Sequence, residues 1–530
     1  MLQTPRARNG MVVAPHFLAA EAGRDVLRDG GSAVEAMVAA AAAIAVVYPH
    51  MNAIGGDGFW LIGNDGAAPL GIDACGPTAA AADRAFYDAR GHASAIPARG
   101  PHAALTVPGT VAGWQRALAS PGSGAGRLPL ARLLEPAIRH ARDGVPASTG
   151  LARLAADKRG ELEDVPGFAD TFLAGGAPPE TGAVFRQPRL ADTLEQLARA
   201  GLDDFYRGEI AAALADDLAA MDSPVDRGDL AGFDAMTVDP LGLDLGGGRV
   251  YNMPPPTQGL ASLLILGIFE RLGVERAEGF AHVHGLVEAT KQAFQVRDRY
   301  VTDPAFMDRD PCGFLDAAFL DGAAARISAE RALPWPQAGA PGDTVWLGAM
   351  DRDGRSVSFI QSIYWEFGAG VVSPATGVLM QNRGMSFSLD PAGRQALQPG
   401  RRPFHTLNPA MARLNDGRTL VYGTMGGEGQ PQTQAAVFSR HVLFGQALQD
   451  AVTAPRWLLG RTWGSTSTSL KFESRFEPAL IEAMAAAGHD VEVLGPFEDA
   501  MGHAGAISRR ADGVFEGAAD PRSDGQVAAL

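Results

Sequence analysis

The sequence predicts a mixed α and β protein, on three observations. The first is an alanine-rich, nearly all-apolar stretch from Ala36 to Tyr48, preceded by Ser32 as a cap and Glu35 in the first turn. Such a run forms a helix, and a helix apolar on every side belongs in a core. The second is a series of further helical stretches at Leu128 to Asp143, Arg189 to Arg199, Glu209 to Met221, Gly259 to Leu272, Phe280 to Tyr300 and Pro478 to Ala487. The third is strand-like alternation at Thr344 to Met350, Arg355 to Tyr364 and Arg418 to Tyr422, most of it after the midpoint. Just before those strands lies Leu333-Pro-Trp-Pro-Gln-Ala-Gly-Ala-Pro-Gly342, which disfavours helix and ends directly at Asp343-Thr344. A domain linker has this composition, and so does a processing loop, because a scissile bond must be flexible before it is cut.

Composition narrows the function. With 46% hydrophobic and 20% charged residues, the chain is too apolar for wholesale disorder, and 530 residues allow several domains or one large unit. The net charge of −15, without a long Lys/Arg run, argues against nucleic acid, since neutralising phosphates needs a clustered basic face. The Ala36 to Tyr48 stretch is too short to cross a bilayer, so no membrane span is expected. Met1 to Asn9 is polar and lacks the apolar core of a secretory signal, which gives a cytoplasmic expectation. Cys75 and Cys312 are the only cysteines, and neither has a redox-type or metal-type neighbour. His282, His284 and Glu288 suggest a metal site at first sight, but helix positions two apart point to different faces, so structural roles are expected and no metal or organic cofactor is implied. Cys75 is expected to be a buried, inert thiol, and Arg401 and Arg402 solvated loop charges.

The candidate chemistry begins at Thr344. Two strands flank Asp351-Arg-Asp-Gly354, a hairpin signal. A two-residue loop sets Thr344 opposite Gln361 and a three-residue loop sets it opposite Ser362, so either register brings Ser362 near Thr344. A hydroxyl nucleophile beside a second hydroxyl is a plausible catalytic pair, although Thr and Ser are also common in strands. Downstream, Gly423-Thr-Met-Gly-Gly-Glu-Gly429 follows a strand, and its paired glycines can turn backbone N–H groups toward an oxyanion. A phosphate loop is the rival reading, but the Gly-Lys-Ser/Thr ending is missing; a plain glycine turn stays open.

The chain resembles the gamma-glutamyltransferase family of N-terminal-nucleophile hydrolases nearly end to end. The resemblance is carried by Gly10-Met-Val-Val-Ala-Pro-His16, Gly30-Gly-Ser-Ala-Val-Glu-Ala36, Ile54-Gly-Gly-Asp-Gly-Phe59, Val107-Pro-Gly-Thr-Val-Ala-Gly113, Met253-Pro-Pro-Pro256, Val287-Glu-Ala-Thr-Lys291 and Gly517-Ala-Ala-Asp-Pro-Arg522. It implies a four-layer αββα sandwich of the α+β class, made as one chain. The resemblance further implies self-cleavage between Asp343 and Thr344 into a large subunit, 1–343, and a small catalytic subunit, 344–530, that stay interlocked as one unit. Thr344 then aligns with the nucleophile, Ser362 with a supporting hydroxyl, and Gly426 and Gly427 with the oxyanion hole. The freed α-amine would serve as base for its own hydroxyl, since such amines titrate near about pH 7.7 to 8.

The pocket departs from a glutamyl donor site. Where typical members hold an α-amino group with Asn, Gln and Asp, this chain has Tyr364, Arg383 and Ser386, and the serines that grip the α-carboxylate correspond to His405 and Thr406. Arg383 would repel an ammonium and could pair bidentately with a carboxylate. Ser358-Phe-Ile-Gln-Ser-Ile-Tyr364 with Gln381-Asn-Arg-Gly384 is similar to the branch that includes oxamate amidohydrolase, with cephalosporin-acylase-like members as relatives. The expected partner is therefore a small amide bearing a carboxylate. True gamma-glutamyl hydrolysis or transfer, or an uncleaved binding protein, are the alternatives. Whether processed heterodimers pair into a homodimer is left open, as is a pocket-lining role for Trp365 and Glu366.

Overall fold

The computed structural model describes residues 2–335, 343–460 and 467–530, without the side chains of Ala174 and Asp343; most of the expected cleavage loop, 336–342, lies outside the described residues. The first helix expected from sequence, Ala33–Val47, starts with a reciprocal capping box: Ser32 Oγ accepts from Glu35 N at 3.2 Å and Glu35 Oε2 accepts from Ser32 N at 2.8 Å. Every residue of this helix is buried. The other expected helices form as Leu130–Asp143, Pro188–Ala200, Glu209–Ala220, Gly259–Glu270, Phe280–Tyr300 and Pro478–Ala486.

Strands are where sequence and structure differ. Besides Asp343–Asp351, Ser356–Tyr364 and Thr419–Thr424, the first half of the chain contributes Gly10–Ala14, Asp57–Gly63, Leu70–Ala74, Leu241–Leu245 and Gly248–Asn252. Gly10–Ala14 and Asp57–Gly63 are buried at every position, so they lack the polar alternation that marks a half-exposed strand.

Two seven-stranded sheets result. One runs Gln526–Ala529, Gly10–Ala14, Asp343–Asp351, Ser356–Tyr364, Asp57–Gly63, Leu70–Ala74, Met236–Val238. The other runs Arg6–Ala7, Phe515–Ala519, Ala504–Arg509, Thr419–Thr424, Ala410–Leu414, Gly248–Asn252, Leu241–Leu245. Side-chain alternation assigns the layers. Val12, Trp60, Leu347 and Phe359 share a core with the helix Ala33–Val47, whereas Met11, Phe59, Trp346 and Ile360 share one with Tyr251, Met411, Val421 and Ile507 of the second sheet. The far face of the second sheet, with Val250, Ala412 and Leu420, packs on Gly259–Glu270 and Phe280–Tyr300. Helix, sheet, sheet, helix is the expected four-layer αββα order. Trp346 reaches across between the sheets, and a Cβ on Gly423 or Gly505 would overlap its indole.

Candidate active site

The hairpin adopts the three-residue register. Asp351 N donates to Arg355 O at 3.1 Å, Gly354 takes φ +89°, and Val345 pairs with Gln361. A register shift between Asp343 and Val345 bulges the strand at Thr344. Thr344 is fully buried; its Oγ1 donates to Ser362 Oγ at 3.3 Å and accepts from Gln430 Nε2 at 3.4 Å. Ser362 Oγ also accepts from Tyr364 N at 2.9 Å. That bond holds Tyr364 at φ +80°, a left-handed conformation rare for an aromatic residue, and such backbone strain clusters at functional sites.

The glycine pair lies at the start of the helix Gln430–Phe438, which supplies Gln430. Gly426 and Gly427 have φ of +118° and +52°, and among the described residues neither amide has an acceptor. Two consecutive N–H groups ahead of a helix N-terminus suit a developing negative charge. Behind them Gln258 Nε2 donates to Gly427 O at 2.7 Å and to Thr406 O at 2.8 Å, while its Oε1 accepts from Arg297 at 3.1 Å. Gln258 thereby couples the glycine turn to the segment carrying His405 and Thr406.

Arg383 is 1% exposed and makes no salt bridge among the described residues. Its guanidinium stacks 3.6 Å from the Tyr364 ring centre and donates to Thr406 Oγ1 at 3.4 Å. Burial pulls its pKa down from the ordinary arginine value, with Tyr364, Cys75, Asp57 and Glu428 opposing. The fold thus links Thr344, Ser362, Tyr364, Arg383 and Thr406 through contacts on one path. Ser386 ends the same short turn, Arg383–Ser386, but its buried Oγ bonds to none of them. His405 also turns elsewhere: its Nε2 meets Asp57 Oδ2 at 3.1 Å and its ring packs edge-on to Phe59.

Arg401 and Arg402 are not solvated loop charges. Arg401 is buried and donates to Ala396 O and Thr302 Oγ1, each at 2.8 Å; Arg402 pairs with Asp73 at 2.8 Å and Asp303 at 3.1 Å. Loop carbonyls and two buried carboxylates repay the desolvation of these cations. Cys75 is buried and its thiol pKa is raised well above the usual value by burial. His282 and His284 diverge as expected, to Ser439 and to His489. His284, Glu288 and His489 do converge, but the Lys291 ammonium lies 2.7 Å from Glu288 Oε1, where a metal cation would bind. Glu366 is buried with its carboxylate 3.9 Å from Arg99. No helix among the described residues is long and apolar enough to cross a membrane.

From sequence no role is read for Gln430, Gln258, Gln381 or Asp57: Asp57 and Gln381 stand inside the motifs Ile54–Phe59 and Gln381–Gly384, while Gln430 and Gln258 lie just past Gly423–Gly429 and Met253–Pro256. The gamma-glutamyltranspeptidase family model matches residues 19–530. The chain belongs to this family. It is 54% identical to the oxamate amidohydrolase proenzyme of Klebsiella pneumoniae subsp. pneumoniae over 98% of both chains. It is 40% identical to the glutathione hydrolase-like YwrD proenzyme of Bacillus subtilis, again over 98% of both. Among solved structures, cephalosporin acylase from Bacillus halodurans superposes with a TM-score of 0.92 at 35% identity, covering 100% of this chain and 97% of that one. As a member of the gamma-glutamyltranspeptidase family, the chain is an amidohydrolase of the N-terminal-nucleophile type.

Proposed function

We propose that this family member cleaves itself between Asp343 and Thr344 and then hydrolyses a small carboxylate-bearing amide, with oxamate as substrate. In the precursor the Thr344 hydroxyl attacks the Asp343 carbonyl carbon, the peptide nitrogen leaves as the Thr344 amine, and water opens the resulting ester. The products are a large subunit, 1–343, and a small one, 344–530. In the mature enzyme the α-amine takes the Thr344 hydroxyl proton, Oγ1 attacks the amide carbon, and the Gly426 and Gly427 amides receive the oxyanion. Ammonia carries that proton away, and water then releases oxalate from the Thr344 ester.

The observation that carries the substrate class is Arg383, a buried guanidinium without a carboxylate partner among the described residues, two contacts from the Thr344–Ser362 pair. A buried cation is costly unless paired, so an anionic substrate group suits this position. The name of the 54% identical relative supports the choice of oxamate within that class. The same guanidinium opposes the α-ammonium of a gamma-glutamyl donor. The test is intact mass of the purified protein together with turnover of oxamate, its neutral isostere oxamide, and a gamma-glutamyl anilide. Two polypeptides, the second beginning Thr-Val-Trp, and preference for oxamate are expected. A single uncut chain, or preference for the anilide, overturns the proposal.

A further inference from the structure

We propose that Asp57 is a positioning residue that ties together the two segments bracketing Arg383 and so fixes where a substrate carboxylate docks. The inference rests on Arg383 being the anchor. Asp57 is fully buried at the start of the strand Asp57–Gly63. Its Oδ1 accepts from Gln381 Nε2 at 2.9 Å, Gly76 N at 3.1 Å and Gly109 N at 3.2 Å, and its Oδ2 meets His405 Nε2 at 3.1 Å. His405 Nδ1 accepts from Leu407 N at 3.4 Å, which assigns the ring proton to Nε2 and makes it a donor to Asp57. Gln381 lies two residues before Arg383, and His405 directly precedes Thr406, whose Oγ1 accepts from the guanidinium. One carboxylate therefore holds both sides of the anchor.

The surrounding sequence is shaped for this contact. A Cβ at Gly76 would overlap the Val107 carbonyl oxygen, and one at Gly109 that of Ala74, so only glycine lets both amides reach Asp57. Asp57, Cys75 and His405 converge as three potential metal ligands, but every donor on Asp57 is a protein N–H, and the nearby Arg383 charge disfavours a second cation. The charged and titratable groups facing Asp57 are Arg383, His405, Cys75, Asp73 and Tyr206. Burial dominates among them and pushes the Asp57 carboxyl up to about 7. A proton on Oδ2, the oxygen with a single donor, opposes the His405 N–H, so the hold on Arg383 loosens as pH falls through that value.

The experiment measures kcat/KM for oxamate and oxamide between pH 6 and 8 in the processed enzyme and in Asp57→Asn, Gln381→Leu and Arg383→Met. The oxamate-to-oxamide ratio cancels titration of the Thr344 amine, which acts on both substrates. Losing hydrogen bonds to a buried carboxylate predicts a ratio about tenfold lower in Asp57→Asn and about threefold lower in Gln381→Leu. The wild-type ratio falls from pH 8 to 6, and Asp57→Asn abolishes that slope. If Asp57 acts only as a neighbouring negative charge, Asp57→Asn tightens oxamate instead, which overturns the positioning role, as does a slope that persists in the variant. If Asp57→Asn does not fold, Gln381→Leu decides: an unchanged ratio there overturns the proposal. A ratio that collapses in Arg383→Met but not in Asp57→Asn or Gln381→Leu defeats positioning alone, whereas an unchanged ratio in Arg383→Met defeats the anchor and this inference with it.

Discussion

Replacing Arg383 by Met separates substrate recognition from folding, because the two effects have opposite signs. The side chain is 1% exposed, and its polar contacts among the described residues reduce to a long hydrogen bond to Thr406 at 3.4 Å. In the free enzyme the guanidinium is thus desolvated without a carboxylate in direct contact, and the more distant Asp57 and Glu428 offset only part of that cost. Stacking 3.6 Å over Tyr364 returns about 2 kcal/mol of that. Methionine keeps much of the volume and the ring contact while removing the charge, so the melting temperature should stay level or rise. Substrate binding responds the other way. Removing one member of a buried charge pair costs about 2 to 5 kcal/mol, which converts to a fall in kcat/KM for oxamate of about 30-fold to several thousand-fold. Oxamide lacks the carboxylate and should lose less than about threefold. Steady-state kinetics on both amides, alongside a thermal melt, read all three quantities. Equal losses on the two amides with a lower melting temperature would show that Arg383 holds the fold rather than the substrate.

Four further outcomes follow from the geometry. Ser362→Ala removes the acceptor of the Thr344 hydroxyl and of Tyr364 N, so precursor conversion on a gel and kcat should each slow by about 10-fold to 100-fold; wild-type conversion would exclude the supporting role. Gly426→Ala forces a side chain onto φ +118° and sets its Cβ 3.3 Å from Gly502 Cα, so kcat should fall about 100-fold, read by steady-state turnover of oxamate. Gly423→Ala drives a methyl into Trp346 between the sheets, and the denaturant midpoint should register about 1 to 3 kcal/mol of destabilisation. His50 is fully buried, and burial pushes its pKa down to about 3 against 6.5 unfolded, so its contribution is intact above pH 6.5 and lost as pH falls toward 3. At pH 5 the unfolded chain gains about 2 kcal/mol from protonating this residue, and His50→Leu should remove that much of the stability difference between pH 8 and pH 5 in urea titrations.

The Thr344–Ser362 encounter was legible because a hairpin is local: counting outward from Asp353-Gly354 leaves two registers, and both bring the hydroxyls close. Choosing between them needed the turn itself, where Asp351 N reaches Arg355 O and Gly354 takes φ +89°, and the bulge beside Asp343 is a further departure that no side-chain pattern announces. The helices were legible for a similar reason, since caps and periodicity act over a few residues. The strands Gly10–Ala14 and Asp57–Gly63 were not, because burial on both faces erases the alternation that identifies a strand. Gln430, Gln258 and Asp57 were invisible for a topological reason. Gln430 meets Thr344 across 86 positions, Gln258 meets Gly427 across 169, and Asp57 meets Gln381 and His405 across 324 and 348. Arg401 and Arg402 defeated the rule that charges stay in water, because their acceptors, Thr302, Asp303 and Asp73, arrive from distant segments.

The strand order also explains how this architecture can tolerate the proposed cut beside Thr344. Asp343–Asp351 is an inner strand, bonded to Gly10–Ala14 on one side and Ser356–Tyr364 on the other. Both sheets combine segments from before and after residue 343: Arg6–Ala7 and Gly248–Asn252 bond to later strands in one, and Gly10–Ala14 and Asp57–Gly63 do so in the other. Cleavage before Thr344, as proposed, would therefore break one covalent bond and none of these ladders. A terminal threonine ordinarily frays, because end residues have few contacts. Here Val345 pairs with Gln361, the strand gains its second neighbour from Gly348 onward, and Trp346 is locked between the sheets two residues on, so the new amine would stay registered against Ser362 and the glycine turn. Positioning of that order is what a nucleophile that serves as its own base requires, since proton transfer and attack depend on sub-ångström placement.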